Sequence, residues 1–256
     1  MKKRKTSLPL AVAGSIATTA NPNRLSNGSC RHGGIEDGKR TPPPCPWRPP
    51  VSHELLPRLM LLLLTLSGAA QAQFNYVVTN GTITITGYTD PGGAVNIPDT
   101  VSGYPVTVIW DNAFFNCGTL TSVTIPGSVI SIGGRAFDNC SSLSRLTIGN
   151  SVTSIGDCAF SGCSSLASVT IPNSVTVIGY SAFSGCSSLF AITVDALNNA
   201  YSAVDGVLFD KSRSTLIQCS GGKAGSYTIP DRVTSIGGAA FGGCTSLTSI
   251  PGSSKK

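Results

Sequence analysis

Apolar and polar positions alternate along this chain in a pattern that repeats every 23 residues from Leu120 to Cys186. One copy, Leu120 to Cys140, reads L-x-x-V-x-I-P-x-x-V-x-x-I-G-x-x-A-F-x-x-C. Its fixed places are Leu120, Val123, Ile125, Pro126, Val129, Ile132, Gly133, Ala136, Phe137 and Cys140. The next copy sets Leu143, Leu146, Ile148, Val152, Ile155, Gly156, Ala159, Phe160 and Cys163 in the same order. The third sets Leu166, Val169, Ile171, Pro172, Val175, Ile178, Gly179, Ala182, Phe183 and Cys186. A unit this short cannot bury its own apolar face, so a fixed period of this size predicts a solenoid whose coils cover one another.

Each stretch of the unit predicts an element. Val123 to Ile125 alternates, as a short strand does with Val123 and Ile125 turned inward. Pro126 has no N–H to donate and ends that strand. A second extended piece carries Val129 and Ile132, and Gly133 permits a bend that a Cβ would hinder. Ala136, Phe137 and Cys140 sit at helical spacing and predict a short helical or 3₁₀ return arm. Coils stacked about 4.8 Å apart turn each fixed place into a ladder of like side chains, with a parallel β-sheet along one face.

The period breaks once. Cys186 and Cys244 are 58 residues apart, which is 23 and a further 35. Leu189, Ile192 and Val194 stay in register, then Asp195 replaces the proline. Residues 195–228 read as an insertion, with Tyr201 to Val204 and Val207 to Phe209 forming a hairpin about Asp205-Gly206. Leu216-Ile217 adds a short strand, and Ile229-Pro230 restores the register through Val233, Ile236 and Gly237. Before the repeats, residues 73–94 read as a capping hairpin: Phe74, Tyr76 and Val78 alternate, Asn80-Gly81 supplies a type I′ turn, and Ile83 and Ile85 alternate on the return. At the far end the sequence stops part-way into a repeat after Ile250-Pro251, which leaves Leu247 and Ile250 without a covering coil. Residues 251–256 are thus expected to be a truncated tail.

The Ala-Phe dipeptides with Cys three places on, at Cys117, Cys140, Cys163, Cys186 and Cys244, resemble the Cys-containing, BspA-like class of bacterial leucine-rich repeats. The resemblance covers residues 95–250. The segment from Ile97-Pro98 to Cys117, with its extra Gly103-Tyr104-Pro105, resembles the first repeat of that family and departs from it at Trp110, where the other copies have Gly. The resemblance implies a leucine-rich-repeat solenoid, an accessory hairpin at the Tyr-to-Asp-Gly-Val-Leu insertion, and a role in adhesion or in binding host and matrix proteins.

Composition changes at the N-terminal end. Residues 1–58 are rich in Pro, Arg and Ser and lack apolar periodicity, so they read as a disordered or mis-annotated extension. Leu59 to Leu66, preceded by Arg58 and followed by Ala70-Gln71-Ala72, reads as a secretory signal peptide over residues 59–72, too short for a membrane span. Of 18 Lys and Arg and 12 acidic residues, positions 1–58 hold ten and three, a net charge of +7; positions after Ala72 hold eight and nine, a net charge of −1. The overall +6 is therefore a property of the leader and does not point to nucleic acid. The expected mature chain starts at Gln73, is one elongated monomeric domain without a membrane span, and is secreted or held at the cell surface.

Chemistry thins out in the same stretch. Both His residues (His32, His53) and both Glu residues (Glu36, Glu54) precede Ala72, so the repeats lack the imidazole of a Ser-His-Asp, Cys-His or His-containing zinc site. No phosphate-binding glycine loop is visible. The expectation is a non-enzymatic chain with no cofactor and no metal. Asp205 and Asp210 lack calcium-ligand spacing and read as turn residues. The ladder Cys read as buried free thiols, because like-pointing Cβ atoms one coil apart lie beyond disulfide reach. The residues between the fixed places remain as a candidate partner-binding surface: Ser122, Thr124, Arg145, Thr147, Ser168, Thr170 and Thr193 on the strands, with Phe190 and Tyr180 as aromatic anchors and Trp110 and Tyr201 beside them. Each also has a plain reading, Thr as a good exposed strand former and the aromatics as packing residues. The expected partner is an extracellular protein or matrix component; the alternatives are a structural spacer of a larger surface protein, or a carbohydrate-binding module.

Overall fold

The computed structural model describes residues 74–89 and 92–252. The expected N-terminal extension and signal peptide, Gln73, and the last residues of the expected tail lie outside the described residues. Strands β1 (Phe74–Thr79) and β2 (Thr82–Tyr88) form the expected hairpin, with Asn80 at φ 51° and Gly81 at φ 75° as a type I′ turn requires. The first coil holds β3 (Gly93–Asn96), β4 (Thr100–Val101) and β5 (Tyr104–Ile109). Three regular coils follow, each with one longer and one two-residue strand: β6 (Leu120–Thr124) and β7 (Ser131–Ile132), β8 (Arg145–Thr147) and β9 (Ser154–Ile155), β10 (Ser168–Ile171) and β11 (Val177–Ile178). Then come β12 (Ala191–Val194), the insertion strands β13 (Tyr201–Val204), β14 (Val207–Asp210), β15 (Thr215–Cys219) and β16 (Gly225–Ser226), and finally β17 (Ser235–Ile236) and β18 (Leu247–Ser249).

The longer strands make the predicted front face, as parallel ladders β3-β6-β8 and β10-β12. Val123 pairs with Leu146 and Val169 with Ile192, so the 23-residue period is the register itself. The ladder is interrupted between β8 and β10, which lie side by side in separate sheets. Here Gly149 takes the place held by Pro126 and Pro172. A Cβ on Gly149 would stand 2.2 Å from the Pro126 carbonyl oxygen, so this coil is drawn tight against the preceding one.

The two-residue strands form a second parallel ladder, beyond the single sheet expected from the pattern. It runs β2-β5-β7-β9-β11, stacking Ile109, Ile132, Ile155 and Ile178, with β1 on its outer edge. Gly133, Gly156 and Gly179 follow these isoleucines. A Cβ on Gly156 would lie 2.6 Å from the Gly133 carbonyl carbon, and one on Gly179 would lie 2.4 Å from the Asp157 nitrogen. Stacked coils come too close there for any side chain. Trp110 escapes the constraint because only the cap hairpin precedes it, and its ring is 55% exposed.

The return arms are tandem turns, and among the described residues there is no helix. The backbone donors explain why. Ala136, Asp138 and Cys140 donate to the carbonyls of Gly133, Arg135 and Phe137, the i→i−3 spacing of 3₁₀ turns. The intervening Arg135, Phe137 and Asn139 donate instead to Asp157, Ala159 and Ser161 of the next coil, at 2.8, 2.7 and 2.7 Å. Half the donors that a helix would use internally thus bind coil to coil. The alternation needs left-handed backbone at two places per arm: Asn112 and Asn116, Arg135 and Asn139, Cys158 and Gly162, Ser181 and Gly185, and Ala239 and Gly243 all have φ between 50° and 90°.

The core is the stack of fixed places. Phe114, Phe137, Phe160 and Phe183 are fully buried, with ring centroids 4.6, 5.2 and 5.5 Å apart and interplanar angles of 15°, 5° and 6°. Tyr88 of the cap continues the stack onto Phe114 at 5.0 Å. The insertion has its own smaller cluster of Val207, Phe209, Leu216, Cys219 and Ala240. Strand β14 lies between the two, with Leu208 in the main core and its neighbours in the second. Strand β15 then pairs in parallel with β17, Leu216 against Ile236, and so resumes the stacking of short strands.

Candidate functional site

On the front face every inward residue is followed by an outward one. Ser122 stands beside Arg145 and Thr124 beside Thr147 in β6 and β8; Ser168 stands beside Ala191 and Thr170 beside Thr193 in β10 and β12. Asn96 of β3 extends the threonine row by one coil. Thr124, Arg145, Thr147, Ser168, Thr170 and Thr193 are exposed and Ser122 is half-buried. The hydroxyls of Thr170 and Thr193 share a hydrogen bond of 2.9 Å. The structure therefore brings the predicted strand residues onto one polar surface, in two blocks separated at the gap between β8 and β10. Phe190 enters β12 at the edge of this surface, 65% exposed.

The other aromatic candidates lie elsewhere. Tyr180 follows Ile178 and Gly179 at the end of the second ladder, not on the front strands. It is 51% exposed, yet its ring covers Gly238 so closely that a Cβ there would lie 1.8 Å from the ring. Tyr201 is a capping residue. Its hydroxyl accepts from the Ile178 N–H at 2.8 Å and donates to the Thr176 carbonyl at 3.3 Å. Burial raises its phenol above the usual range, with the Ile178 bond opposing.

Asn198 is the residue that sequence reasoning missed. It is completely buried. Its amide donates to the carbonyls of Pro172 and Val175 at 2.7 and 2.9 Å, and its oxygen accepts from the N–H groups of Ala200 and Tyr201 at 2.9 and 2.8 Å. All its bonding capacity on the side chain is used to close the last regular coil. The signal was present: Asn198 stands one period after Val175, in the row of Val129 and Val152, and Tyr201 one period after Ile178, in the row of Ile132 and Ile155.

The turn aspartates have structural partners. Asp205 (φ 50°) and Gly206 (φ 76°) make the tight turn between β13 and β14. Asp210 accepts from the hydroxyls of Ser212 and Ser214 and from the Thr215 N–H at 2.8 Å. Burial alone raises its carboxyl, but the bonds from Ser212, Thr215 and Ser214 outweigh it, so it titrates below the usual carboxylate range. Among the described residues no group of three or more His, Cys, Asp or Glu is placed to hold a metal ion. The ladder thiols Cys117, Cys140, Cys163 and Cys186 are free and buried, and Cys244 is free and half-buried. Cys140, Cys163 and Cys186 donate to the carbonyls of Phe114, Phe137 and Phe160 at 3.1, 3.2 and 3.2 Å. Burial pushes the Cys163 thiol well above its usual range and Cys186 up to about 12.

Over this stack of 23-residue coils, six copies of the BspA type leucine rich repeat region match residues 95–215 and 218–255. The chain belongs to this family. Its solenoid is similar to that of the pneumococcal vaccine antigen PcpA, at 20% identity and a TM-score of 0.52. That alignment covers 72% of this chain and 63% of PcpA, so the chain spans less than two thirds of that protein. A leucine-rich repeat protein from Bacteroides capillosus is 31% identical over 50% of this chain and 97% of its own, with a TM-score of 0.43. One from Bacteroides ovatus is 28% identical over 72% of this chain and 52% of its own, with a TM-score of 0.48. No curated protein matches the chain.

Proposed function

We propose that this repeat protein is a secreted or cell-surface, non-enzymatic scaffold that docks an extended segment of an extracellular protein or matrix component along its front face. The observation that carries this reading is the exposed hydroxyls of the front face, Thr124 beside Thr147 in one block and Thr170 beside Thr193 in the other, edged by the exposed Phe190. Side-chain hydroxyls both donate and accept, which suits a backbone lying across the strands. An exposed aromatic at the edge supplies the apolar anchor on which interface energies depend. Family membership adds support, as do the signal-like segment over residues 59–72 and the near-neutral charge that follows it.

Purified chain applied to an array of matrix proteins and glycans is expected to give saturable binding to a protein component. Phe190→Ala should weaken that binding about tenfold, a hot-spot-sized effect. Signals confined to glycans would replace this reading with carbohydrate recognition, and the absence of any saturable signal would leave the spacer reading. Sequencing of the N-terminus after export tests the location: cleavage after Ala72 is expected.

A further inference from the structure

The insertion brings together two thiols that are far apart in the repeat pattern. Cys244 occupies a ladder place, and by the ladder's rule its thiol would donate to the carbonyl 26 residues earlier, as Cys140, Cys163 and Cys186 do. It donates instead to the Ser220 carbonyl at 3.4 Å and towards that of Cys219 at 3.8 Å. Cys219, at the end of β15, directs its own thiol to the same Ser220 oxygen at 3.8 Å. Both are free thiols, Cys219 buried and Cys244 half-buried. Their surroundings are held: the Cys219 N–H donates to Ala240 at 2.7 Å, and the buried Gln218 amide donates to the carbonyls of Cys219 and Ala240 at 2.9 and 3.2 Å.

We infer that Cys219 and Cys244 form a dithiol–disulfide site that small-molecule disulfides oxidise selectively, clasping the insertion to the last coil. The chemistry assigns different roles to the two sulfurs. The interaction of the neighbouring thiols lowers Cys244 and raises Cys219, and Lys223 favours the thiolate at both; burial opposes it. Cys244, the more accessible, is the attacking thiolate. It displaces one thiolate from oxidised glutathione, breaking the reagent's S–S bond and forming a mixed disulfide. Cys219 then gives up its proton to solvent and attacks the Cys244 sulfur, and the second glutathione thiolate leaves. Two thiols of the protein are oxidised and one glutathione disulfide is reduced to two thiols. The ladder thiols are excluded by burial and by the parallel direction of their side chains.

The test uses the full chain and needs no variant at first. Native protein is incubated with oxidised glutathione, quenched with an alkylating agent, denatured and digested with trypsin, which cuts after Arg213, Lys223 and Arg232. The expected product links peptide 214–223 to peptide 233–255 through a reducible bond, while Cys140, Cys163 and Cys186 are alkylated only after denaturation. Glutathione held on Cys244 with Cys219 alkylatable would overturn the inference, as would bridges between ladder thiols. In Cys219→Ser the mixed disulfide on Cys244 should persist, whereas in the natural chain it is transient; equal lifetimes would also overturn it.

Discussion

The regular coils and the coil that meets the insertion solve one problem, the covering of a coil's edge, by different means. From Phe114 to Phe183 each coil covers the last with a copy of itself: the rings stack within 5.5 Å, the isoleucines of the second ladder pair in register, and the Phe114, Phe137 and Phe160 N–H groups donate to the Ala136, Ala159 and Ala182 carbonyls one coil on. After Leu189 no identical coil follows. Asn198 and Tyr201 then take the Val and Ile places and satisfy backbone groups with side-chain atoms. The last aromatic place shows the cost. Phe241 is half-buried and meets Tyr227 at 6.3 Å and 53°, outside the parallel stack. Repetition gives dense burial with little chemical variety, whereas an interruption needs polar side chains fitted one by one.

That contrast is most directly broken at the phenylalanines. Phe160→Ala is expected to cost about 3–5 kcal/mol, and Phe241→Ala roughly half as much, in denaturant unfolding of the two variants. Equal losses would mean that the C-terminal coil is packed as tightly as the ladder. Next in size is Asn198→Val, which restores the repeat's own residue. It should destabilise by about 2–3 kcal/mol because the Pro172 and Val175 carbonyls and the Ala200 and Tyr201 N–H groups lose the bonds that the Asn198 side chain makes to them. A more stable variant would show that the repeat rule extends through residue 198. Tyr201→Phe keeps the ring and removes one hydroxyl, for an expected loss of about 1 kcal/mol by the same measurement. The smallest effect concerns pH. The lowered Asp210 carboxyl contributes stability that is present above the ordinary carboxylate range and is lost as pH falls through its depressed value. Thermal melts should therefore show Asp210→Asn losing less stability than the natural chain between neutral pH and about pH 3; identical slopes would remove Asp210 from the account.

Much of this architecture was legible because a strict period converts sequence spacing into spatial neighbours. Leu120, Leu143, Leu166 and Leu189 fall one above another because they are 23 residues apart, and the same arithmetic placed Thr124 beside Thr147. The helical spacing of Ala136, Phe137 and Cys140 leaves a short helix and a 3₁₀ arm both open, because spacing does not reveal where the N–H groups go; the i→i−3 bonds found are those of 3₁₀ turns. Arg135, Phe137 and Asn139 donate across to the next coil, a choice that exists only once coils are stacked. The anchor residues divided for a similar reason: exposure keeps Phe190 and Trp110 available, while Tyr201 is spent as a cap.

The sequence by itself determined the repeat, its register and the identity of the inward ladder, since identical units can bury identical faces in one way. Only the tertiary structure decided that two ladders form, that the front ladder opens between β8 and β10, and that Asn198 closes the last regular coil. It also decided that Cys219 meets Cys244. The physical reason is that an interruption has no copy of itself to follow. Its partners are fixed by which unpaired donors, acceptors and apolar edges the preceding coil presents, and those exist only in the folded stack.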